Sequence, residues 1–155
     1  MNKELKIKRL TSTAQLPVRA HATDLGYDLY ADETYRLQPG ETVVISTGIS
    51  MRFPDGVGGI IKDRSSMAIR NIHTSGGVID NGYTGEIRII LTNHSPDRYS
   101  PDPSPTAVGN GSYLIVQGAK IAQMILTPII TFPVVEVEDL GETDRGENGF
   151  GSSGS

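Results

Sequence analysis

Five short stretches of this chain hold residue types that can bind an anion, activate water or close over a small ligand. Arg64-Ser65-Ser66 lies between a predicted strand and a predicted short helix, Ser66 to Asn71. A helix start presents free N–H groups and a partial positive charge, which suits an anion, and the guanidinium and two hydroxyls add donors. The same residues also fit a serine N-cap beside a surface arginine. Asp80-Asn81-Gly82-Tyr83 sits between two apolar runs. Asn-Gly there is a strong hairpin signal, because a type I′ turn needs positive φ at both central residues. Such a hairpin would hold Asp80 and Tyr83 opposite each other; equally, Asp80 favours the turn and Tyr83 packs at its edge.

Asp28 stands between apolar residues at the start of a strand, where a charge wants an arginine partner or a hydrated cation. Gln123 interrupts the run Ile121 to Leu126; it either faces solvent by alternation or offers its amide to a ligand. Near the C-terminus, Arg145, Gly149, Phe150, Ser152 and Ser153 stand in a glycine-rich stretch. The arginine can grip a phosphate, the glycines let backbone donors approach an anion, and the ring offers a face for a base. A solvated Gly/Ser tail has a similar composition. His21, His73 and His94 show no metal-ligand spacing and are assigned no site.

These residues must be positioned by strands. Alternation and β-branched content predict strands beginning at Leu5, across Thr42 to Phe53 as a pair folded about Gly48, and at Gly59 to Ile61, Gly77 to Ile79 and Glu86 to Thr92. Tyr113 to Val116, Lys120 to Ile130 and Val134 to Val137 complete the set. Turn signals every eight to twelve residues or so suit a sandwich or barrel. Strands 86–92 and 120–130 are partly apolar on both faces, which fits either an oligomer interface or a fully buried core strand. Residues 95–112 hold four of the nine prolines and read as an exposed, mobile insertion, too rich in Pro and Ser to pair as strand.

At 155 residues the chain is long enough for one domain with a real core. Fourteen basic residues against eighteen acidic give a net charge of −4, which argues against a general nucleic-acid or membrane-surface binder. The absence of cysteine removes disulfides, thiolate nucleophiles and Cys-ligated zinc. No run approaches the roughly 20 apolar residues of a membrane span, and the N-terminus lacks the apolar core of a secretory signal. The expected location is the cytoplasm, or the nucleus for a eukaryotic or viral source.

Taken in order, Gly26-Tyr-Asp-Leu, Arg64-Ser-Ser, Gly77-Val-Ile-Asp-Asn-Gly-Tyr-Thr-Gly-Glu86, Gly118-Ala-Lys-Ile-Ala-Gln123 and Arg145 to Gly154 resemble the five motifs of the trimeric dUTP pyrophosphatases, the dUTPases. The resemblance runs from Leu5 to Gly154 and omits only the 95–112 loop. It implies an all-β distorted jelly roll, barrel- or sandwich-like, with one short helix, assembled as a homotrimer whose active sites each draw on all three subunits. Residues 1–140 would form the β domain, and residues 141–155 a flexible arm closing over a neighbour's site.

The implied activity is that of a dUTP diphosphatase: dUTP and water give dUMP and pyrophosphate, which keeps uracil out of DNA and supplies dUMP for thymidylate synthesis. By the same resemblance Asp80 is the general base. Arg64, Ser65, Ser66, Gln123, Arg145, Ser152 and Ser153 hold phosphates, and Asp28 meets Mg²⁺ through water, the ion being held mainly by the triphosphate. Gly77, Val78 and Ile79 would read uracil by main chain, Tyr83 would lie under the deoxyribose, and Gly149 and Phe150 would cover the base. Asp63, where Pro or Gly is commoner, is expected to point away from the phosphates, and Thr74 stands where some members carry asparagine. The rivals are a dCTP deaminase of the same superfamily and a catalytically idle β-trimer that binds a protein partner through 95–112.

Overall fold

Along Glu86–Asn93 the side chains of Ile87, Ile89, Leu91 and Asn93 are buried while Arg88 among them is exposed, the period-2 signature of a strand with one face on a core. That pattern recurs through the chain. The computed structural model describes residues 3–96, 107–108, 111–144 and 146. In order it holds β1 (Lys6–Arg9), β2 (Gly26–Tyr30), β3 (Tyr35–Leu37), β4 (Thr42–Arg52), β5 (Val57–Lys62), α1 (Ser65–Ala68), β6 (Ile72–Ser75), β7 (Val78–Ile79), β8 (Glu86–Asn93), β9 (Ala107–Val108), β10 (Ser112–Ile115) and β11 (Lys120–Pro128). The expected all-β class with one short helix is what the described residues adopt.

The strands form three sheets, ordered β1-β4-β8-β6, β2-β11-β5-β7 and β3-β10-β9, and the pairings are antiparallel. Leu29 from β2, Leu37 from β3, Ile45 and Ile49 from β4, Ile89 from β8, Ile115 from β10 and Met124 from β11 meet in one apolar cluster. Each such side chain is worth about 1.5–3 kcal/mol when buried, against about 0–1 for a surface ion pair. The core therefore fixes how the sheets face each other, and the polar groups described below decorate a scaffold already set.

Several sequence expectations change here. Thr42 to Phe53 is no strand pair: β4 runs unbroken to Arg52, and Gly48, at φ 63, is a bulge where the register to β8 shifts between Ser46 and Ser50. A Cβ at Gly48 would press on the Asp32 carboxylate, so the glycine that looked like a turn serves a close approach instead. Val134 to Val137 carries no strand; Val134, Val135 and Val137 are all exposed. Alternation creates a strand only where a ladder forms, and among the described residues 134–137 pair with none.

The 95–112 segment does pair in part, since β9 runs antiparallel to β10 through Ser112 and Tyr113. The prolines that forbid a ladder end at Pro105, leaving Ala107 and Val108 free to join one. Its roots are fixed by buried Asn93, which donates to Leu37 O (3.3 Å) and Gly111 O (2.9 Å) and accepts from Ser95 N–H (2.9 Å). Residues 97–106 and 109–110 lie outside the described residues, as does the expectation of mobility there.

Candidate active site

The sheet β2-β11-β5-β7 carries the site, and its strand order sets the geometry. Asp28 on β2 pairs with Gln123 on β11, which on its other side pairs with Lys62 on β5. The chain leaves β5 through Asp63 and turns back at Arg64. The guanidinium then crosses the β11 end: Nη1 donates to Lys120 O (3.3 Å) and Nε to Asp28 Oδ1 (2.8 Å). Lys120 Nζ holds the other Asp28 oxygen at 2.7 Å. Of the two readings open for Asp28, the arginine partner is present, with a lysine added.

Asp28, Arg64, Ser65, Ser66, Lys120 and Gln123 line an open cavity of about 520 Å³ with Gly26 and the 20–25 loop at its rim. Arg64 is itself the N-cap residue of α1, with no side-chain cap, so the serine-cap reading does not hold. Ser66 Oγ instead accepts from Arg64 Nη1 (3.2 Å). The helix is shorter than expected, ending at Ala68, because Asn71 takes a left-handed φ of 57 and breaks the turn. Gln123 neither faces solvent freely nor waits empty: its Nε2 donates to Asp63 O (2.8 Å), and a Cβ on Gly26 would overlap its Oε1. The cavity thus gathers two cations, two hydroxyls and an amide around the half-buried Asp28 carboxylate, with Asp24 at its rim.

Asp80 lies at the far edge of the same sheet, just after β7. Tyr83 N–H donates to Asp80 O (3.0 Å), so the turn is present, but neither Asn81 nor Gly82 has positive φ. It is no type I′ hairpin, and β7 pairs with β5 while β8 pairs with β4 and β6. The turn carries the chain from one sheet to the other. Asn81 earns its place through its side chain, whose Nδ2 bonds Pro54 O and Val57 O, each at 2.7 Å. Asp80, Tyr83, Val78 and Ile79 line a cavity of about 240 Å³ with Val44, Ile90, Glu86 and Arg88, a mixed apolar and charged lining. Tyr83 is half exposed, and its hydroxyl donates to Glu86 O (3.0 Å).

Burial works against the Glu86 carboxylate, but bonds from Ser46, Arg88 and Gly48 N–H outweigh it and hold its pKa below the ordinary glutamate range. Gly77 O accepts from Ile61 N–H (2.7 Å), and Gly77 and Val78 also border a third cavity of about 450 Å³ with Asp63 and Thr74.

The structure brings Asp28, Arg64, Ser65, Ser66 and Gln123 together, and Val78, Ile79, Asp80 and Tyr83 together, but in separate cavities. With strands about 4.8 Å apart, three steps separate β2 from β7 by about 14 Å. Arg145, Gly149, Phe150, Ser152 and Ser153 lie outside the described residues. Sequence reasoning gave no role to Lys120, which Asp28's hydrogen bond and charge hold above the ordinary lysine pKa, nor to Glu86 and Arg88 beside Asp80. Lys120 sat inside a recognised motif; only the Lys120–Asp28 approach across the ladder reveals it.

The dUTPase family model matches residues 12–100 and 106–154. The deoxyuridine 5′-triphosphate nucleotidohydrolase of Clostridium tetani is 40% identical over 153 residues, spanning 97% of this chain and 96% of that enzyme. That of Alkaliphilus metalliredigens is 37% identical with the same spans. Among solved structures, the Staphylococcus bacteriophage 80alpha dUTPase with dUpNHpp superposes at a TM-score of 0.87 with 34% identity, covering 99% of this chain and 100% of that one. The dUTPase of phage phi11 of S. aureus, described with the coordination of a structural Mg(II) ion, gives 0.78 with 31% identity, covering 90% and 99%. Alike in sequence and fold over nearly its whole length, the chain belongs to the dUTPase family.

Proposed function

We propose that the chain hydrolyses dUTP to dUMP and pyrophosphate at a site composed between subunits, with Asp80 as general base. The observation that carries the composite site is the separation of the two cavities. A base must lie within hydrogen-bond reach of the water it activates, and Asp80 follows β7 beside the Gly59 end of β5 while Arg64 follows that strand's other end, about five residues or roughly 17 Å along it. A neighbour's Asp80 cavity facing this Arg64 cavity would close the distance, which supports the homotrimer the motifs imply. Exposed Ile130, Phe132, Val134, Val135 and Leu140 supply apolar surface for such an assembly.

In this reading Arg64, Ser65, Ser66 and Gln123 orient the triphosphate in line for attack. Val78 and Ile79 present main-chain groups to uracil, Tyr83 lies under the deoxyribose, and residues 141–155 close the site. Among the described residues no group of three or more His, Asp or Glu side chains could cage a metal ion. That suits Mg²⁺, which keeps several waters and binds with substrate phosphates. Asp28, its oxygens already held by Arg64 and Lys120, fits a contact through water. When bound, Mg²⁺ supplies charge neutralisation on the phosphates.

Wild type and Asp80→Asn assayed on dUTP, dCTP, dTTP and UTP, with pyrophosphate and ammonia scored separately, test the reading. Pyrophosphate from dUTP alone is expected, with kcat reduced about 10²–10⁴-fold by the substitution. Ammonia from dCTP, or an unimpaired Asp80→Asn, would refute it. No helix of the described residues is long and apolar enough to cross a membrane, and bacterial relatives fit a cytoplasmic setting. Residues 95–112 are the segment we assign to any protein partner; replacing 97–106 by a short linker, which keeps the Asn93 bonds to Ser95 and Gly111, should abolish partner capture and leave dUTP turnover intact.

A further inference from the structure

Asp63 immediately precedes Arg64 and, as its sequence position led one to expect, turns its carboxylate away from the cation cavity. Oδ1 accepts both from Thr74 N–H (2.6 Å) and from Thr74 Oγ1 (2.7 Å), and Oδ2 lies 2.8 Å from His73 Nδ1. Burial works against this carboxylate, yet the bonds from Thr74 and His73 hold its pKa below the ordinary aspartate range. Thr74 and His73 belong to β6, in the sheet opposite the one Asp63 extends, so the contact staples the two sheets at the mouth of the site. The Asp63 carbonyl meanwhile accepts Gln123 Nε2 (2.8 Å).

Two of the groups that face the cation cavity therefore hang on this one residue. Arg64 is attached to it by the peptide bond, and Gln123 is aimed by its carbonyl. A rotation of the 63–64 peptide would move both together. The apolar core fixes β5 and β6 as strands, but it does not reach this peptide, which lies beyond the end of β5 with Asp63 half-buried. Thr74 also has its hydroxyl engaged by Asp63, so its role is directed to the brace rather than to a base.

We propose that Asp63 is a positioning residue for the hydrolysis. Braced on Thr74 and His73, it presets the direction of Arg64 and the amide of Gln123, so that the phosphate cavity is shaped before the nucleotide arrives. The proposal rests on the dUTP reading above. It assigns the effect to substrate binding, because preorganisation of the cavity is felt wherever phosphates dock.

The test compares Asp63→Leu, Asp63→Asn and Thr74→Val by steady-state kinetics on dUTP and by calorimetric titration with inorganic pyrophosphate, well below the melting temperature of each. Asparagine keeps an acceptor at Oδ1 for Thr74; leucine removes it. Asp63→Leu should raise KM and weaken pyrophosphate binding about tenfold or more with a smaller change in kcat, while Asp63→Asn stays within about threefold of wild type. Thr74→Val should shift KM in the same direction by a few-fold. A folded Asp63→Leu with wild-type KM and pyrophosphate affinity overturns the proposal, and so does an Asp63→Asn as impaired as the leucine variant. Should Asp63→Leu not fold, Thr74→Val decides, and an unchanged KM there overturns it. Failure of the wild type to turn over dUTP would refute the reading of the site, while the pyrophosphate titration still measures the brace.

Discussion

Around Arg64, two cations lie within 2.8 Å of the Asp28 carboxylate, on a sheet edge laced from β2 through β11 to the end of β5. Around Asp80, a two-residue strand ends in a turn held by one backbone bond at 3.0 Å and by the Asn81 amide. In the reading proposed above, the difference follows from what each cavity would handle. Half-buried charges left unpaired are costly, so Asp28 is paired with both Arg64 and Lys120 and the geometry of the cation cavity is set before any ligand enters. The Asp80 cavity also holds three charged residues, Asp80, Glu86 and Arg88, but its strand is only two residues long, and in the reading proposed above this light frame suffices until a neighbouring surface covers it.

Three substitutions would break or sharpen that contrast. Arg64→Ala should have the largest effect, lowering kcat/KM for dUTP about 10²–10³-fold, because it removes a charge-assisted donor and leaves Asp28 to Lys120 alone. Steady-state kinetics with saturating Mg²⁺ would measure it, and a loss below tenfold would mean that Lys120 carries the cavity. Gly26→Ala comes next. Its Cβ would overlap Gln123 Oε1, so the amide must shift; KM should rise about tenfold, with about 1–3 kcal/mol lost in denaturant unfolding.

Asn81→Ala should be the mildest in stability, about 1–2 kcal/mol for two lost bonds, with kcat falling a few-fold as the Asp80 turn loosens. If Asn81→Ala destabilises the protein more than Gly26→Ala does, the Asp80 side is the more rigid of the two and the contrast is inverted.

The fold class was legible because alternation and turn residues are local signals. Seven of the eight predicted strand segments carry a strand: Glu86–Asn93 and Lys120–Pro128 fall where alternation put them, whereas Val134–Val137 has the same pattern and no partner among the described residues. Gly48 and Asn81-Gly82 misled for a different reason. Each has turn chemistry, but tertiary contacts, the Asp32 carboxylate in one case and the Pro54 and Val57 carbonyls in the other, decide how it is used.

At the site, Asp28 and Gln123 were readable as odd polar residues in apolar company and Arg64 as a cation before a helix start, and their convergence on one cavity follows from strand order. Lys120 and the Asp63–Thr74 brace were not readable, since cross-strand approaches are fixed by register, and register is not written in any single segment.

The stretch from Ile129 to Leu140 shows water seven large apolar side chains, with Val134 fully exposed. For a subunit alone in dilute solution that ribbon is a liability to aggregation and an easy target for proteases. In the assembly proposed above, it would be covered by other copies and become the seam on which turnover depends. Specific activity should then fall with dilution as assemblies dissociate, so that the amount of enzyme present governs how well each molecule works.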